Sequence, residues 1–391
     1  MEKSTNILFT SSWYPSKAHE TLGNFVEKHA RAVALYHPVH VLYISSLPGI
    51  NETEYTVKKE GNYNELIVYY KRFPSRSKIL APIINWFRYQ KTFKYARTLL
   101  KKEFGIEKVD LVHHNIHFPA GIIPLYYKKH QNTPYIISEN WTGFLPSNEK
   151  EYSGIGRKWL TKKIGQNCDI QCPVSMDLQK ALTRHGLGKR FEIVPNVFST
   201  SYFKLNENKT FNPEAPVFIH VSTLDEAQKN ITGILNALAK VVKKIPGARL
   251  VFVNDGDPSL AQSHAEKLGI SNHISFTGKQ TVEGVAAALY DADIFVLFSN
   301  YENLPCVVIE ALASGLPVVS STAGGTHEHL TKDLGELLAP KDEDALVEKM
   351  LYVVDHYEDY DRNHLRQYAL NNFSYEAVGK RFIEIYEKLL G

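Results

Sequence analysis

The chain has 391 residues, which is too long for one ordinary hydrophobic core and suits two domains of about 100–200 residues each. Hydrophobic residues make up 43% of the sequence and charged residues 22%, a balance that is typical of folded globular proteins and excludes an intrinsically disordered chain. No apolar run approaches the roughly 18 residues that a membrane-spanning helix requires.

Apolar segments alternate with helical patterns along both halves of the sequence. The strands predicted in the first half are residues 7–9, 39–44, 66–70, 111–113, 135–137 and 170–173. Those predicted in the second half are residues 217–221, 249–253, 274–276, 294–298 and 317–320, with helices such as 230–244 and 304–313 between them. Strands that are buried on both faces and separated by helices form parallel sheets. The pattern therefore predicts an α/β protein with one doubly wound sheet in each half.

Positive charge is concentrated in one part of the sequence. The net charge is +3, yet ten of the 45 basic residues lie in the stretch 71–102, which contains no acidic residue. From Trp86 onward, apolar residues recur at helical spacing, at positions 86, 89, 93, 96 and 100. Such a basic amphipathic helix suits an anionic membrane surface, and it equally suits a solvated helix that packs on its own domain. Nucleic acid is not expected as a partner, because no known binding module accompanies the patch.

The cysteines and the N-terminus bear on the compartment. Cys168, Cys172 and Cys306 cannot all pair and show no zinc spacing, which favours a reducing compartment. The apolar segment 6–9 is too short for the core of a signal peptide, and we interpret it as the start of the first strand. The expected location is the cytoplasm, with attachment to the inner face of the cytoplasmic membrane if the basic helix meets lipid.

The most informative motif follows the predicted strand 294–298. Glu302 leaves the end of this strand, and a helix begins about three residues later with Pro305 in its first turn, where a missing N–H has no cost. A helix N-terminus at the carboxyl edge of a parallel sheet binds phosphate through its free N–H groups and its dipole. Glu310 lies inside this helix. Two carboxylates would repel a phosphate, so we expect them to accept hydrogen bonds from the hydroxyls of a sugar or a ribose.

Glu302 and Glu310, followed by Ala-Leu-Ala-Ser-Gly-Leu-Pro-Val-Val at residues 311–319, resemble the signature of the family 4 retaining glycosyltransferases. The resemblance covers nearly the whole chain. It implies the GT-B fold, in which two Rossmann-like domains with doubly wound parallel sheets face a cleft. In that family the first glutamate meets the transferred sugar and the second binds the ribose of the nucleotide.

The same resemblance implies how the chain is divided. Residues 1–200 would form an acceptor-binding domain, residues 201–373 a donor-binding domain for a nucleotide sugar, and the C-terminal helix at 374–391 would pack back on the first domain. The sequence itself places the boundary between positions 196 and 216, where polar residues interrupt the apolar periodicity.

Further segments resemble motifs of that family. Residues 14–15 with 23–26 resemble its N-terminal glycine loop, whose backbone approaches the donor phosphates, and residues 194–196 resemble its pre-linker motif. Residues 251–257 resemble a strand followed by a glycine loop, and residues 274–278 the segment that covers the base. The resemblance thus implies donor-binding roles for Gly23, Asn24, Thr223, Lys229, Gly278, Glu302, Asn303, Leu304, Pro305 and Glu310.

Two positions depart from the family pattern. The family commonly has an arginine after a strand and a lysine five residues later, which together neutralise the donor diphosphate. Here Thr223 stands at the arginine position and Lys229 comes one residue late, so that one compact charge and one hydroxyl replace two cations. Asn140 stands where relatives often have a histidine near the reacting centre, and an amide cannot act as a general base. The resemblance implies Glu302, Lys229 and Asn140 as the catalytic residues.

The function that the resemblance implies is retaining, metal-independent sugar transfer from a nucleotide sugar, with no cofactor. The favoured mechanism is front-face attack, in which the leaving diphosphate takes the acceptor proton, and this mechanism tolerates Asn140. The acceptor is expected to be a carbohydrate or a lipid-linked glycan in surface polysaccharide biosynthesis. The alternatives are a small soluble acceptor, a nucleotide-sugar-binding protein that has lost catalysis, and another GT-B chemistry such as epimerisation. A metal at His113, His114 and His117 is not expected, because no fitting carboxylate or cysteine lies near them in the sequence.

Overall fold

The structure is a computed structural model, and it describes residues 5–74 and 80–391. The chain divides into two compact units. The N-terminal unit comprises the described residues up to Val174, together with Gln179–Val197 and Tyr375–Gly391. The C-terminal unit comprises Ser175–Leu178 and Phe198–Ser374.

The N-terminal unit contains a seven-stranded sheet. Its strands are β1 (Ile7–Ser11), β2 (Val39–Leu47), β3 (Glu54–Glu60), β4 (Tyr63–Lys71), β5 (Leu111–Asn115), β6 (Tyr135–Glu139) and β7 (Ile170–Pro173). Their order across the sheet is β3-β4-β2-β1-β5-β6-β7, and all neighbours are parallel except β3 and β4. The sequence predicted every strand except β3. That strand pairs at an edge and carries polar, exposed side chains such as Lys58 and Lys59, so it shows no buried apolar run.

Both faces of this sheet are covered by helices. The helices that follow the strands are α1 (Asn24–Ala34), α2 (Leu80–Phe104), α3 (Ile122–Gln131), α4 (Ile155–Asn167) and α5 (Met176–Arg184). Ile7 and Phe9 of β1 join one buried cluster with α1, while Leu8 between them joins a second cluster with α2, α3 and α4. The alternation of side chains along a strand therefore explains why β1 is apolar at consecutive positions.

Helix α2 contains most of the basic stretch noted in the sequence. It buries Tyr89, Phe93, Ala96 and Leu100, as their spacing predicted. Trp86 was predicted on the same face but keeps 39% of its surface exposed, because the helical periodicity places it at the margin of the buried face. Two basic residues of the stretch, at positions 76 and 78, lie outside the described residues.

The C-terminal unit contains a six-stranded parallel sheet. Its strands are β8 (Val217–Ser222), β9 (Arg249–Asn254), β10 (Ile274–Phe276), β11 (Ile294–Leu297), β12 (Val318–Ser321) and β13 (Gly335–Leu338), in the order β10-β9-β8-β11-β12-β13. Its helices are α6 (Glu226–Lys229), α7 (Ile231–Lys244), α8 (Ser259–Leu268), α9 (Val282–Asp291), α10 (Cys306–Ala313), α11 (Thr326–His329), α12 (Glu343–Asp355) and α13 (Arg362–Phe373). The sequence did not predict β13, because Gly335 and Glu336 leave it only two consecutive apolar residues. Helix α10 begins at Cys306 and not at residue 304, because Pro305 has the extended backbone of an N-cap.

The last helix, α14 (Tyr375–Leu390), is part of the N-terminal unit. Its residues Val378, Phe382 and Ile385 enter the same buried cluster as α1 and β1. The ring of Phe382 also lies edge-on to His29, with 5.2 Å between the ring centroids. Within the described ranges, no helix combines the length and the apolar composition that crossing a bilayer requires.

Candidate active site

A cavity of about 390 Å³ lies at the carboxyl edge of the C-terminal sheet, where β8, β9 and β11 end. Ligands of open α/β sheets bind at this edge, because the loops that follow parallel strands meet there. The cavity is lined by Val221, Ser222, Thr223, Gln228, Lys229, Val253, Asn254, Asp255, Gln280, Val285, Glu302, Pro305, Cys306 and Val307. Four of the predicted site residues are therefore brought together, namely Thr223, Lys229, Glu302 and Pro305.

Glu302 is held in place by three side chains. It lies in the loop between β11 and α10, and only 6% of its surface is exposed. Its Oε1 atom accepts a hydrogen bond of 2.8 Å from Ser299 Oγ and forms an ion pair with Lys229 Nζ. Its Oε2 atom accepts a bond of 3.3 Å from Gln228 Nε2. The carboxylate is thus fixed in the cavity by side chains of the protein.

The short helix α6 explains how Lys229 reaches the cavity although it comes one residue late in the sequence. Asp225 caps this helix by accepting bonds from the backbone N–H groups of Ala227 and Gln228. Leu224 before it and Asn230 after it both have positive φ, at 60° and 50°. The single helical turn between these two left-handed residues ends at Lys229, whose ammonium group contacts Glu302.

A buried histidine supports the loop that leads to Thr223. His220 donates from Nδ1 to the carbonyl oxygen of Val296 at 2.8 Å, and its Nε2 accepts from Ser222 Oγ at 2.8 Å. Ser222 Oγ in turn accepts from the backbone N–H of Leu224 at 3.1 Å. Burial, together with the nearby charge of Lys229, lowers the pKa of His220 to about 4. The imidazole is therefore neutral at physiological pH, as its hydrogen bonds require.

Two glycines allow neighbouring loops to pack on the site. A Cβ atom at Gly324, whose φ is +62°, would lie 2.1 Å from the carbonyl oxygen of Glu302. A Cβ atom at Gly256 would lie 2.0 Å from the carbonyl oxygen of Thr223. The backbone N–H of Gly325 donates to the carbonyl oxygen of Asn303 at 2.5 Å. The loops after β9 and β12 therefore buttress the backbone that carries Thr223 and Glu302.

The other predicted donor-binding residues of this unit lie beside the cavity and do not line it, within the part of the chain that the structure describes. The N–H of Gly278 donates to the side chain of Asn254, a lining residue, at 3.2 Å. Asn303 and Leu304 are buried directly before α10, and Glu310 is 7% exposed in the second turn of that helix.

The remaining predicted residues belong to the N-terminal unit. Gly23 caps α1 with a φ of 78°, and a Cβ atom there would lie 2.6 Å from the backbone of Trp13, so only glycine fits. Asn24 begins α1 and is exposed. Asn140 follows β6, and its amide donates to the side-chain oxygen of Asn196 at 2.6 Å. The amide that stands in the histidine position thus ties the loop after β6 to the predicted pre-linker motif.

A buried His117–Glu139 pair lies next to Asn140, and the sequence did not reveal it. Glu139 accepts from His117 Nδ1 at 2.5 Å and from the backbone N–H groups of Asn140 and Trp141 at 2.9 and 2.8 Å. The other ring nitrogen of His117 lies 3.0 Å from Gln171 Nε2, which donates to it. Both ring nitrogens are therefore engaged within the protein. The pair fixes the loop that carries Asn140.

The nearby histidines are also engaged. His113 contacts Tyr386 Oη at 2.6 Å and Ser138 Oγ at 2.7 Å, and burial lowers its pKa well below the usual range.

Among the described residues, Asp177, His327 and Glu328 form a group with the spacing of metal ligands. The two oxygens of Glu328 already accept from the backbone N–H groups of Met176 and Asp177, at 2.8 and 3.0 Å. Glu328 therefore acts as a cap for the first turn of α5.

Comparison with protein families matches residues 202–371 to the family described as "Glycosyl transferases group 1". The matched segment lies within the C-terminal unit and contains Thr223, Lys229, Glu302 and Glu310.

Curated relatives align with parts of the chain. The chain is 34% identical over 142 residues to the sulfoquinovosyl transferase SQD2 of Arabidopsis thaliana. This alignment covers 35% of the chain and 26% of that protein. The chain is 42% identical over 101 residues to the Vi polysaccharide biosynthesis protein VipC/TviE of Salmonella typhi. This alignment covers 26% of the chain and 17% of that protein. It is 25% identical over 247 residues to the phosphatidyl-myo-inositol mannosyltransferase of Mycobacterium leprae, covering 60% and 62%. The chain thus spans less than two thirds of the length of each of these relatives.

Solved structures resemble the chain over almost its full length. Sucrose-phosphate synthase from Thermosynechococcus elongatus superposes with a TM-score of 0.76 at 18% identity, over 98% of this chain and 99% of that one. Anabaena Alr3699/HepE in complex with UDP superposes with a TM-score of 0.70 at 16% identity, over 98% and 100%. The chain has the GT-B fold. The two sheets predicted from the sequence are the sheets of this GT-B protein, and they are parallel apart from the antiparallel edge strand β3.

Cys306 begins α10 and lines the cavity, so the labelling of its thiol can test whether a ligand occupies the cavity. Near neutral pH a maleimide is expected to label Cys306 first, because Cys168 and Cys172 are buried and burial raises the pKa of both thiols. Saturating UDP is expected to slow this labelling by about 10-fold or more, which mass spectrometry of the labelled peptide would measure. A Cys306→Ser variant serves as the blank. Labelling of Cys306 at the same rate with and without UDP would show that UDP does not occupy the cavity.

Proposed function

We propose that the chain is a retaining, metal-independent glycosyltransferase that moves a sugar from a nucleotide-sugar donor to an acceptor. The observation that carries this proposal is the cavity in front of α10, where Glu302 is held by Lys229 and Ser299. The N-terminus of α10 opens onto the cavity at Cys306 and Val307, where the helix dipole favours a phosphate, and Lys229 adds a positive charge. The matched family and the transferases among the relatives support the same activity.

The proposed reaction follows front-face attack. The bond between the anomeric carbon and the diphosphate oxygen breaks, and the acceptor hydroxyl forms the new bond on the same face of the sugar. The proton of that hydroxyl passes to the leaving diphosphate. Lys229 and the N-terminus of α10 stabilise the charge that develops there, and Glu302 positions the sugar through its hydroxyls. Asn140 takes no proton in this scheme, which fits an amide that donates to Asn196.

The proposed acceptor is a lipid-linked glycan of surface polysaccharide biosynthesis, reached at the inner face of the cytoplasmic membrane. Two relatives are named for Vi polysaccharide biosynthesis and for mannosyl transfer to phosphatidyl-myo-inositol, which supports a glycan or a lipid as acceptor. Helix α2 adds basic residues to the N-terminal unit and exposes Ile83 and Phe87, by 49% and 67%. The alternative of a small soluble acceptor needs neither feature.

A second candidate is a nucleotide-sugar-binding protein without catalysis. The composition of the cavity favours it, because Lys229 is the single basic residue among the described lining residues while Asp255 and Glu302 are acidic. A donor diphosphate would then meet less positive charge than in the family pattern.

The test is an assay of the purified protein with a panel of nucleotide sugars and membrane extract, with UDP-sugars first because Alr3699/HepE was solved with UDP. We expect a new glycolipid, with retention at the anomeric carbon by NMR, and a rise in melting temperature with the matching nucleoside diphosphate. Transfer to a soluble sugar alone would favour the soluble acceptor. A rise in melting temperature without transfer or donor hydrolysis would support the second candidate. No response to any nucleotide sugar would contradict the proposal.

A further inference from the structure

Arg157 lies between two aromatic rings at the carboxyl edge of the N-terminal sheet. Its guanidinium carbon is 5.2 Å from the ring centroid of Phe118, which follows β5, and 4.8 Å from that of Trp141, which follows β6. Strands β5 and β6 are parallel neighbours, so the loops after them meet at one edge of the sheet. Arg157 itself belongs to the first turn of α4, and all three residues are half-buried. They form one arginine–aromatic cluster, and Trp141 directly follows Asn140 in the chain.

The two rings of this cluster are held by the buried core of the unit. Glu139 is buried and accepts hydrogen bonds from the backbone N–H of His117 at 3.1 Å and from that of Trp141 at 2.8 Å. Because Phe118 directly follows His117, Glu139 fastens both loops that carry the rings. The ring of Trp141 also packs against Gly143, where a Cβ atom would lie 2.3 Å from it. The His117–Glu139 pair, which the proposed reaction does not use, therefore fixes both walls of the cluster.

Arg157 has no acidic partner among the residues that the structure describes. Its Nη1 donates to the carbonyl oxygen of Glu151 at 2.9 Å, and its Nε–H is buried without a hydrogen-bond partner. By contrast, Arg184 in the same unit pairs with Glu149 at 3.3 Å. A half-buried guanidinium usually meets a carboxylate, because burial removes part of the water that hydrates the charge. Arg157 is therefore a cation whose position is fixed by the protein and whose charge is not compensated there.

We propose that the arginine–aromatic cluster is a subsite for an acidic acceptor sugar, whose carboxylate or phosphate pairs with Arg157. A guanidinium forms two parallel hydrogen bonds with either oxyanion, and the flanking rings restrict the movement of its side chain through cation–π contacts. A sugar bound here lies at the carboxyl edge of the sheet, where ligands of α/β proteins bind. The subsite deepens the proposed function and rests on it, because it gives the chemical class of the acceptor.

The experiment compares three sugars that differ in one group. Methyl glucuronide carries a carboxylate, phosphorylated methyl glucoside carries a phosphate, and methyl glucoside is neutral. Isothermal titration of the full chain gives the Kd of each sugar. We expect an acidic sugar to bind about 10-fold or more tightly than methyl glucoside, because it adds hydrogen bonds between charged groups. The tighter of the two acidic sugars identifies the oxyanion that the subsite prefers.

Replacing Arg157 by glutamine is expected to remove this preference. The affinity for the acidic sugar should fall by about 10-fold or more, while that for methyl glucoside changes little. The matched control is Arg184→Gln, which removes the same charge from an arginine that is already paired with Glu149 and should keep the preference. The melting temperature and the UDP response of each variant are measured in parallel.

A second measurement uses the unchanged protein and does not depend on how a variant folds. Phenylglyoxal modifies arginine side chains, and mass spectrometry of the peptides gives the rate at each position. A saturating acidic sugar is expected to slow the modification of Arg157 by about 10-fold and to leave that of Arg184 unchanged.

Three results would overturn the subsite. These are equal affinity of the unchanged protein for the three sugars, a preference that Arg157→Gln retains, and modification of Arg157 at the same rate with and without the acidic sugar. The sugars are titrated without a donor, so any of these results leaves the proposed function standing if the protein still responds to UDP. A missing UDP response in the unchanged protein counts against the proposed function instead.

Discussion

Replacing Glu302 by alanine is expected to abolish sugar transfer, with a loss of about 10³-fold or more. The carboxylate is buried and is fixed by Ser299, Gln228 and Lys229, so it is already placed for the hydroxyls of the donor sugar. Its removal takes away the oxygen atoms that would accept hydrogen bonds from the sugar hydroxyls. It also leaves the Lys229 ammonium without its ion-pair partner. Initial rates of transfer with a saturating donor would measure the effect.

The binding of nucleoside diphosphate separates a catalytic effect from a folding defect in this variant. UDP should bind within a few fold of the unchanged protein, because the first turn of α10 and Lys229 remain. Glu310→Ala offers the opposite pattern, since we expect it to weaken donor binding more than the maximal rate. Glu266→Gln, an exposed position on α8, is the charge control. Transfer by Glu302→Ala at a near-normal rate would remove Glu302 from the mechanism.

Replacing Lys229 by alanine is expected to lower the transfer rate by about 10²-fold or more. Lys229 is the one basic side chain among the described residues that line the cavity, so the charge of a leaving diphosphate has little other compensation there. The measurement is the single-turnover rate, which isolates the chemical step from product release. Lys267→Ala on α8 is the matched control, because its side chain is exposed outside the cavity lining.

The ion pair between Lys229 and Glu302 makes the combined variant informative. Because the two side chains contact each other, their effects should not add, and the double alanine variant should be less impaired than the product of the single losses. A rate unchanged by Lys229→Ala would show that another cation neutralises the diphosphate. The scheme proposed for the reaction would then need a different residue in that role.

The strands and helices could be predicted from the sequence wherever their burial produces a regular pattern of apolar residues. Strands such as β1 and β11 are covered on both faces, so they are apolar at consecutive positions. Strand β3 escaped prediction because an exposed edge strand needs no apolar run, and Trp86 was misplaced because it lies at the margin of the buried face of α2. Periodicity reports which side chains are compatible with a core and not how far that core extends.

The candidate site was accessible only in part. The position of Glu302 before a helix identified the cavity, because the motif carries its own local geometry. The contact between Glu302 and Lys229 depends on two loops 73 residues apart and on the left-handed residues Leu224 and Asn230.

The placement of α14 has a consequence for how the protein is made. The N-terminal unit is discontinuous along the chain, because residues 375–391 join it only after the whole C-terminal unit has been passed. During synthesis, the groove on α1 that receives Val378 and Phe382 stays open to water until those residues leave the ribosome. The C-terminal unit can therefore fold before the N-terminal unit, whose buried cluster is complete only once α14 has been made.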